Sequence, residues 1–177
     1  MIYWIAFWLM RGVFRLTLRI RRRGVEHGGR PGGYLLACSH VSHLDPFCLS
    51  AVWPRKIGWM ARIEFYRRPW AARLMRAVHA FPVNRRGVPV SAMKEALRRL
   101  ERGEVVGVFP EGEIKTGEAS VLRGGPIKRG VCLLAARSER SVLPCIVAGA
   151  EKFNAIEPWL PVLRGRLWVY CGDFVAP

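Results

Sequence analysis

Apolar and polar positions along this chain fall into short blocks whose period changes. The first, "MIYWIAFWLM", is apolar on every side and runs straight into "RGVFRLTLRIRRRG". At helical spacing Arg11, Arg15, Arg19 and Arg22 fall within about 80° of one another, opposite Leu9, Val13, Leu16 and Ile20. The pattern predicts an amphipathic helix with a basic stripe over residues 1–24. Ile2 to Ile20 would extend about 28 Å, nearly a bilayer span, but Arg11 and Arg15 would sit near its middle at roughly 2.5 to 3.5 kcal/mol each. The expected placement is a helix lying in a membrane interface, with Trp4 and Trp8 among headgroups and the arginines toward anionic phosphates. A terminal helix packed on the protein's own core is the alternative. Without a leading basic region or a small-residue cleavage site, the segment is not expected to be a signal peptide.

From Gly32 onward strand-like and helix-like runs alternate. "GGYLLAC" is a short buried run after turn signals and reads as a strand. "DPFCLSAVW" offers Asp45 as an N-cap and Pro46 at the first helical position, so a helix starts there. "KIGWMA" and "VHAFPV" read as strands around a helical "PWAARLMRA". "VSAMKEALRRLERG" places Val90, Met93, Leu97 and Leu100 on one face and stops at Gly103. "EVVGVF" is a buried strand, "GPIKRGVCLLAARSE" a helix, and "SVLPCIVAG" and "GRLWVYCGDF" the last strands. This alternation predicts an α/β fold: a single domain over residues 33–177, with a mixed central β-sheet flanked by helices. Arg21 to Gly33 is the one linker-like stretch, and there is no internal repeat.

Composition narrows the partner. The chain has 177 residues, half of them apolar, which suits one core. A net charge of +16, mostly arginine, calls for a negative partner: nucleic acid, an anionic membrane surface or phosphorylated ligands. Five scattered cysteines with no C-x-x-C pair read as reduced core thiols in a cytosolic setting, not a disulfide framework or zinc site.

In an open α/β sheet reactive groups sit just past strand ends. Three polar segments do so here: "SHVSHLD", "PVNRRG" and "FPEGEIK". His40 and Asp45 would point about 140° apart on a continuous helix, so they meet only if the chain turns before the helix begins. A neutral His40 held by Asp45 is a competent general base. Asp45 as a mere N-cap is the plainer reading. A nucleophilic Ser42 or Ser39 lacks a G-x-S-x-G elbow, and a metal on His40 and His43 lacks a third ligand, so no metal is expected. His27 and His79 default to surface or structural roles.

The blocks together resemble those of the PlsC-like glycerolipid acyltransferases, of the 1-acyl-glycerol-3-phosphate acyltransferase type. "SHVSHLDP" is similar to the family's His-four-residues-Asp block, "AFPVNR" to its second, "FPEGEIK" to its third, and "VLPCIVAG" to its fourth. "GPIKRG" is similar to its lysine-glycine segment. The resemblance covers roughly Gly33 to Gly149. It implies a mixed α/β acyltransferase on the cytoplasmic face of a cell membrane, peripheral or monotopic. Its reaction moves a fatty acyl group from acyl-CoA or acyl carrier protein to a lysophospholipid hydroxyl, with 1-acyl-sn-glycerol-3-phosphate giving phosphatidic acid. His40 would be the base, Asp45 its orienting partner, and Arg85, Glu111 and Gly112 part of the acceptor site. No cofactor beyond the acyl co-substrate is implied.

The third block departs from the family's usual FPEGTRS at Glu113 and Ile114, so one expected phosphate-binding cation is displaced. Lys115 and Lys128 are the candidates to replace it, ahead of Arg123. This leaves open another acceptor, such as lysophosphatidylethanolamine. Two other classes differ in kind: a nucleic-acid-binding domain, which "FPEG" and the N-terminal tryptophans do not suit, and a Ser-His-Asp esterase or thioesterase using Ser42.

Overall fold

The computed structural model describes residues 8, 12–14, 16–84, 90–151 and 165–176. Its strands are β1 (Leu18–Arg23), β2 (Tyr34–Cys38), β3 (Ile57–Arg62), β4 (Phe81–Val83), β5 (Val105–Val108), β6 (Val142–Ala148) and β7 (Gly165–Cys171). They form one sheet in the order β1-β7-β6-β2-β5-β3-β4. The helices that follow the sequence pattern are α1 (Asp45–Val52), α2 (Pro69–Ala77), α3 (Val90–Glu101) and α4 (Arg129–Ser138). The fold is a mixed α/β single domain.

Period-two alternation along β2 sorts the core into two layers. Tyr34, Leu36 and Cys38 face one side and pack with Cys48, Leu49 and Ala51 of α1 and with Trp53. Leu35 faces the other, with Val106 and Val108 of β5, Ala92, Ala96 and Leu100 of α3, and Leu134 of α4. Both faces of the central strands are covered, which explains why "YLLAC" and "VVGV" are continuous apolar runs. A chain of buried hydrogen bonds closes the first layer: Trp53 Nε1 donates to Tyr34 Oη at 2.9 Å, and Tyr34 Oη donates to the Gly28 carbonyl at 2.7 Å.

Strand direction decides where loops gather. β2 pairs in parallel with β5 and β6, and β3 in parallel with β4 and β5. β7 runs antiparallel to β6, and β1 runs parallel to β7. The carboxyl ends of β2 to β6 therefore share one edge, and β1 begins at that same edge.

Three expectations change. Helical residues occur at Trp8, Gly12 to Phe14, Leu16 and Thr17, but Leu18–Arg23 is a strand, so Arg19 and Arg22 do not continue a helical stripe. "LRIRRR" also alternates with period two, and pairing with β7 satisfies its backbone groups in a way that only a distant segment can supply. Arg21 to Gly33 is consequently not a linker; it ends β1 and forms the 3-10 turn Val25–Gly29, whose Gly28 lies against the Trp53 indole. Among the cysteines, Cys132 is exposed on α4 rather than in the core, while Cys145 and Cys171 are cross-strand neighbours with Sγ atoms 3.1 Å apart.

Gly107 of β5 stands beside Trp59 of β3 in register, and a Cβ there would come within 2.5 Å of the indole and 2.8 Å of Ile57 Cγ2. Gly107→Ala is expected to destabilise the domain by about 1 to 3 kcal/mol through overpacking, lowering Tm by roughly 3 to 9 °C. Gly29→Ala, with nothing within 4 Å of its added Cβ, serves as the control and should leave calorimetric Tm nearly unchanged.

Candidate active site

At the shared edge the chain leaves β2 through Ser39 to Leu44 and enters α1. Asp45 lies in the first turn of α1, followed by Pro46, and the helix has no side-chain N-cap. The expected N-cap role of Asp45 is thus replaced by another. Its Oδ2 receives the N–H groups of Val41 and Ser42, each at 2.8 Å, and lies 3.0 Å from His40 Nδ1. These donors come from the chain before the helix, which folds back over the carboxylate. The turn that His40 and Asp45 needed in order to meet is built by the carboxylate itself.

Asp45 is fully buried, and burial pushes its carboxyl above the ordinary carboxylate range against the lowering pull of His40 and the two N–H groups. With Nδ1 directed to Asp45, the neutral His40 carries its proton there and Nε2 is the nitrogen available to accept another. The imidazole stacks on Phe109, with ring centroids 3.9 Å apart and planes 19° apart. Phe109 in turn stacks on Trp59 at 5.0 Å. A carboxylate at one edge and an aromatic face below leave the ring little rotational freedom.

The segment after β5 grips the same histidine from its backbone side. Phe109 to Gly112 forms a tight turn in which the Gly112 N–H donates to the Phe109 carbonyl at 2.9 Å, and Gly112 has φ +72°. Within it Glu111 is 2% exposed. Its Oε2 accepts the His40 backbone N–H at 2.6 Å, and its Oε1 accepts from Ser120 Oγ at 2.9 Å and from the Val121 N–H at 3.0 Å. The Lys115 N–H donates to the His40 carbonyl at 3.0 Å. Beside this knot lies a pocket of about 220 Å³ lined by Glu111, Glu113, Lys115, Ala119, Pro126, Ile127 and Lys128.

The structure therefore brings His40, Asp45, Glu111, Gly112, Lys115 and Lys128 together. Arg85 lies outside the described residues. Glu111, expected among the acceptor contacts, has both carboxylate oxygens engaged by protein donors and holds the His40 backbone. Lys115 Nζ is 2.9 Å from Glu113 Oε1, so the two candidate cations are not equivalent. Gly112 leaves room for Lys128, whose Cγ would stand 3.2 Å from an added Cβ. Ser42 is fully buried and its Oγ accepts the Leu44 N–H at 3.3 Å; among the described residues neither Ser39 nor Ser42 bonds the His40 ring. No group of three or more His, Cys, Asp or Glu side chains among the described residues is arranged to hold a metal ion. Sequence reasoning missed Trp59, Phe109 and Ser120. Phe109 heads a recognised block, whereas nothing in the local sequence around Ser120 announces its contact with Glu111.

The chain is 31% identical over 118 residues to the 1-acyl-sn-glycerol-3-phosphate acyltransferase of Bacillus subtilis (strain 168), covering 66% of this chain and 56% of that protein. It is 23% identical over 157 residues to the enzyme of the same name from Borreliella burgdorferi, covering 84% and 61%. It is 29% identical over 162 residues to the N-acylphosphatidylethanolamine synthase of Arabidopsis thaliana, covering 81% and 56%. The chain thus spans little more than half the length of these relatives. The crystal structure of the 1-acyl-sn-glycerophosphate (LPA) acyltransferase PlsC from Thermotoga maritima shares the fold, with a TM-score of 0.74 at 17% identity, covering 97% of this chain and 69% of that one. The model of the family described as Acyltransferase matches residues 19–148, which include every candidate site residue named above, and the chain belongs to that family.

Proposed function

We propose that this chain transfers a fatty acyl group from an acyl thioester, acyl-CoA or acyl carrier protein, to the free hydroxyl of a lysophospholipid. The first acceptor in this reading is 1-acyl-sn-glycerol-3-phosphate, giving phosphatidic acid at the cytoplasmic face of a membrane. The observation that carries it is the His40 ring held between buried Asp45 and Phe109. A glycerol hydroxyl is a poor nucleophile, and His40 Nε2 takes its proton as the oxygen attacks the thioester carbonyl, an effect of about 10² to 10⁴ in rate. The tetrahedral intermediate collapses by breaking the carbon–sulfur bond, and the leaving thiolate receives the proton from His40. Asp45 stabilises the imidazolium in between. No acyl-enzyme is formed.

The phosphate of the acceptor falls to Arg85 and Lys128. Arginine suits a phosphate because its fork engages two oxygens at once. Lys115 is partly neutralised by Glu113, which favours a second reading in which the acceptor also carries a positive group, as lysophosphatidylethanolamine does. No helix among the described residues is long and apolar enough to cross a membrane. Attachment in this proposal comes from the N-terminal segment, where Trp8 and Leu16 are strongly exposed, and from its arginines.

His40→Ala should lower turnover by at least about 10² to 10⁴, with circular dichroism unchanged. His43→Ala and Ser42→Ala should lower it far less; an acyl group trapped on Ser42 would replace the proposal with an esterase. Asp45→Asn separates activity from stability. A carboxyl raised by the fold binds its proton more tightly folded than unfolded, so its ionisation costs stability as pH rises from the ordinary 3.8 upward, and that cost persists at neutral pH. Asp45→Asn should therefore lose turnover almost as severely as His40→Ala, while its Tm rises relative to the parent as pH increases through that window. A parallel fall in both would show Asp45 to be structural.

Arg85→Ala should raise the KM for the lysophospholipid more than for the acyl donor, and Arg85→Lys should restore it poorly. Equal effects on both substrates would remove Arg85 from the acceptor site. Comparing Lys115→Ala with Lys128→Ala in the same assay assigns the displaced cation to whichever variant loses acceptor affinity.

A further inference from the structure

The segment from the end of β3 through α2, Arg62 to Arg76, is unlike the rest of the surface. Five arginines stand there against one acid, Glu64. Between them are large apolar side chains open to solvent: Ile63 at 40%, Phe65 at 52%, Trp70 at 61% and Leu74 at 41% exposure. Trp70 and Leu74 are one helical turn apart and share the outer face of α2 with Arg73. Ala72 and Met75 lie on the opposite face, against the protein. The helix is thus amphipathic twice over: an inner apolar face used by the core, and an outer face of tryptophan and leucine flanked by arginine.

Its place in the sheet gives this face a meaning. β3 ends at the edge where His40 and Glu111 sit, and β1 begins at that edge on the far side of the sheet. The site on β2 and β5 therefore lies between the N-terminal segment and the Arg62–Arg76 segment. A flat partner that touches both flanks spans the site between them, which a compact protein does less readily. Aromatic and aliphatic side chains among arginines match the boundary of an anionic leaflet, with the rings at headgroup depth and the guanidinium groups on phosphates.

We infer that Ile63, Phe65, Trp70 and Leu74, with Arg67, Arg68 and Arg73, form a second membrane-contacting surface that docks on anionic lipid and seats the active-site edge against the leaflet. The inference shares with the proposed function the premise of a lipid substrate, but vesicle binding without substrate tests it separately from catalysis.

The full chain is partitioned onto phosphatidylcholine vesicles with and without phosphatidylglycerol and measured by co-sedimentation, with thermal unfolding as the check on folding. Phe65→Ser with Trp70→Ser should weaken partition roughly tenfold or more, since each ring loses an apolar site of burial. Arg67→Gln, Arg68→Gln and Arg73→Gln together should weaken it by roughly 10² on phosphatidylglycerol vesicles at low salt, an effect that fades as salt rises. Leu133→Ser, an exposed position on α4, should change nothing. If the ring variant fails to fold, the arginine variant carries the test alone. Unchanged partition in the folded variants overturns the inference, as does an equal loss with Leu133→Ser. Unchanged partition with a raised KM for acyl carrier protein in the arginine variant also overturns it, and assigns the surface to that acidic protein.

Discussion

One carboxylate oxygen organises the site: Asp45 Oδ2 collects the ring of His40 and the backbone N–H groups of Val41 and Ser42. The donors precede α1 and the acceptor lies in its first turn, so the loop must fold back over the helix start before any of these bonds forms. Taking a carboxylate fully out of water is costly, and only several well-directed donors offset it. The same bonds that make the burial tolerable also set the tautomer and direction of the imidazole. Burial nonetheless pushes the Asp45 carboxyl above the ordinary carboxylate range, so the fold resists the very charge that these donors stabilise.

Glu111 repeats the device from the neighbouring loop. It too is a buried carboxylate with its oxygens turned inward, and it binds the backbone of His40 while Asp45 binds its ring. Loops are ordinarily the mobile part of an α/β domain. Two inward carboxylates convert these into a rigid mount, with Phe109 and Trp59 stacked beneath as a floor. In the proposed reaction such a mount spares His40 any reorientation during proton transfer.

The reversal of β7 and β1 against the other strands is the topological counterpart. In a wholly parallel sheet the chain before β1 would lie at the opposite edge from His40. Here it starts beside the site, and the arginine-rich surface after β3 closes the other flank. Among the described residues, the five arginines of Arg62 to Arg76 thus stand on the flank of the edge that carries His40 and Glu111.

Much of this was legible in the chain itself. Apolar runs bounded by glycine and proline marked β2 to β7 and the four helices, and the polar segments past β2 and β5 supplied the residues that the structure brings together around His40. The ordered blocks named the family, because reactive residue types must recur at fixed distances from strand ends. Local pattern failed where a residue's partner is remote. "LRIRRR" reads equally well with either period, and only β7, 147 residues further along the chain, makes it a strand. Asp45 before Pro46 has the form of a helix cap, and only the fold-back of Val41 and Ser42 makes it the partner of His40. Glu111 has the form of a substrate-facing acid, and only Ser120, Val121 and His40 turn it inward. The residue types and their spacing were determined by the sequence alone, since they depend on local period and on the chemistry of side chains. Which charged groups are buried, which way they face and what they hold was decided by the tertiary structure, because desolvation and hydrogen bonding depend on atoms far apart along the chain.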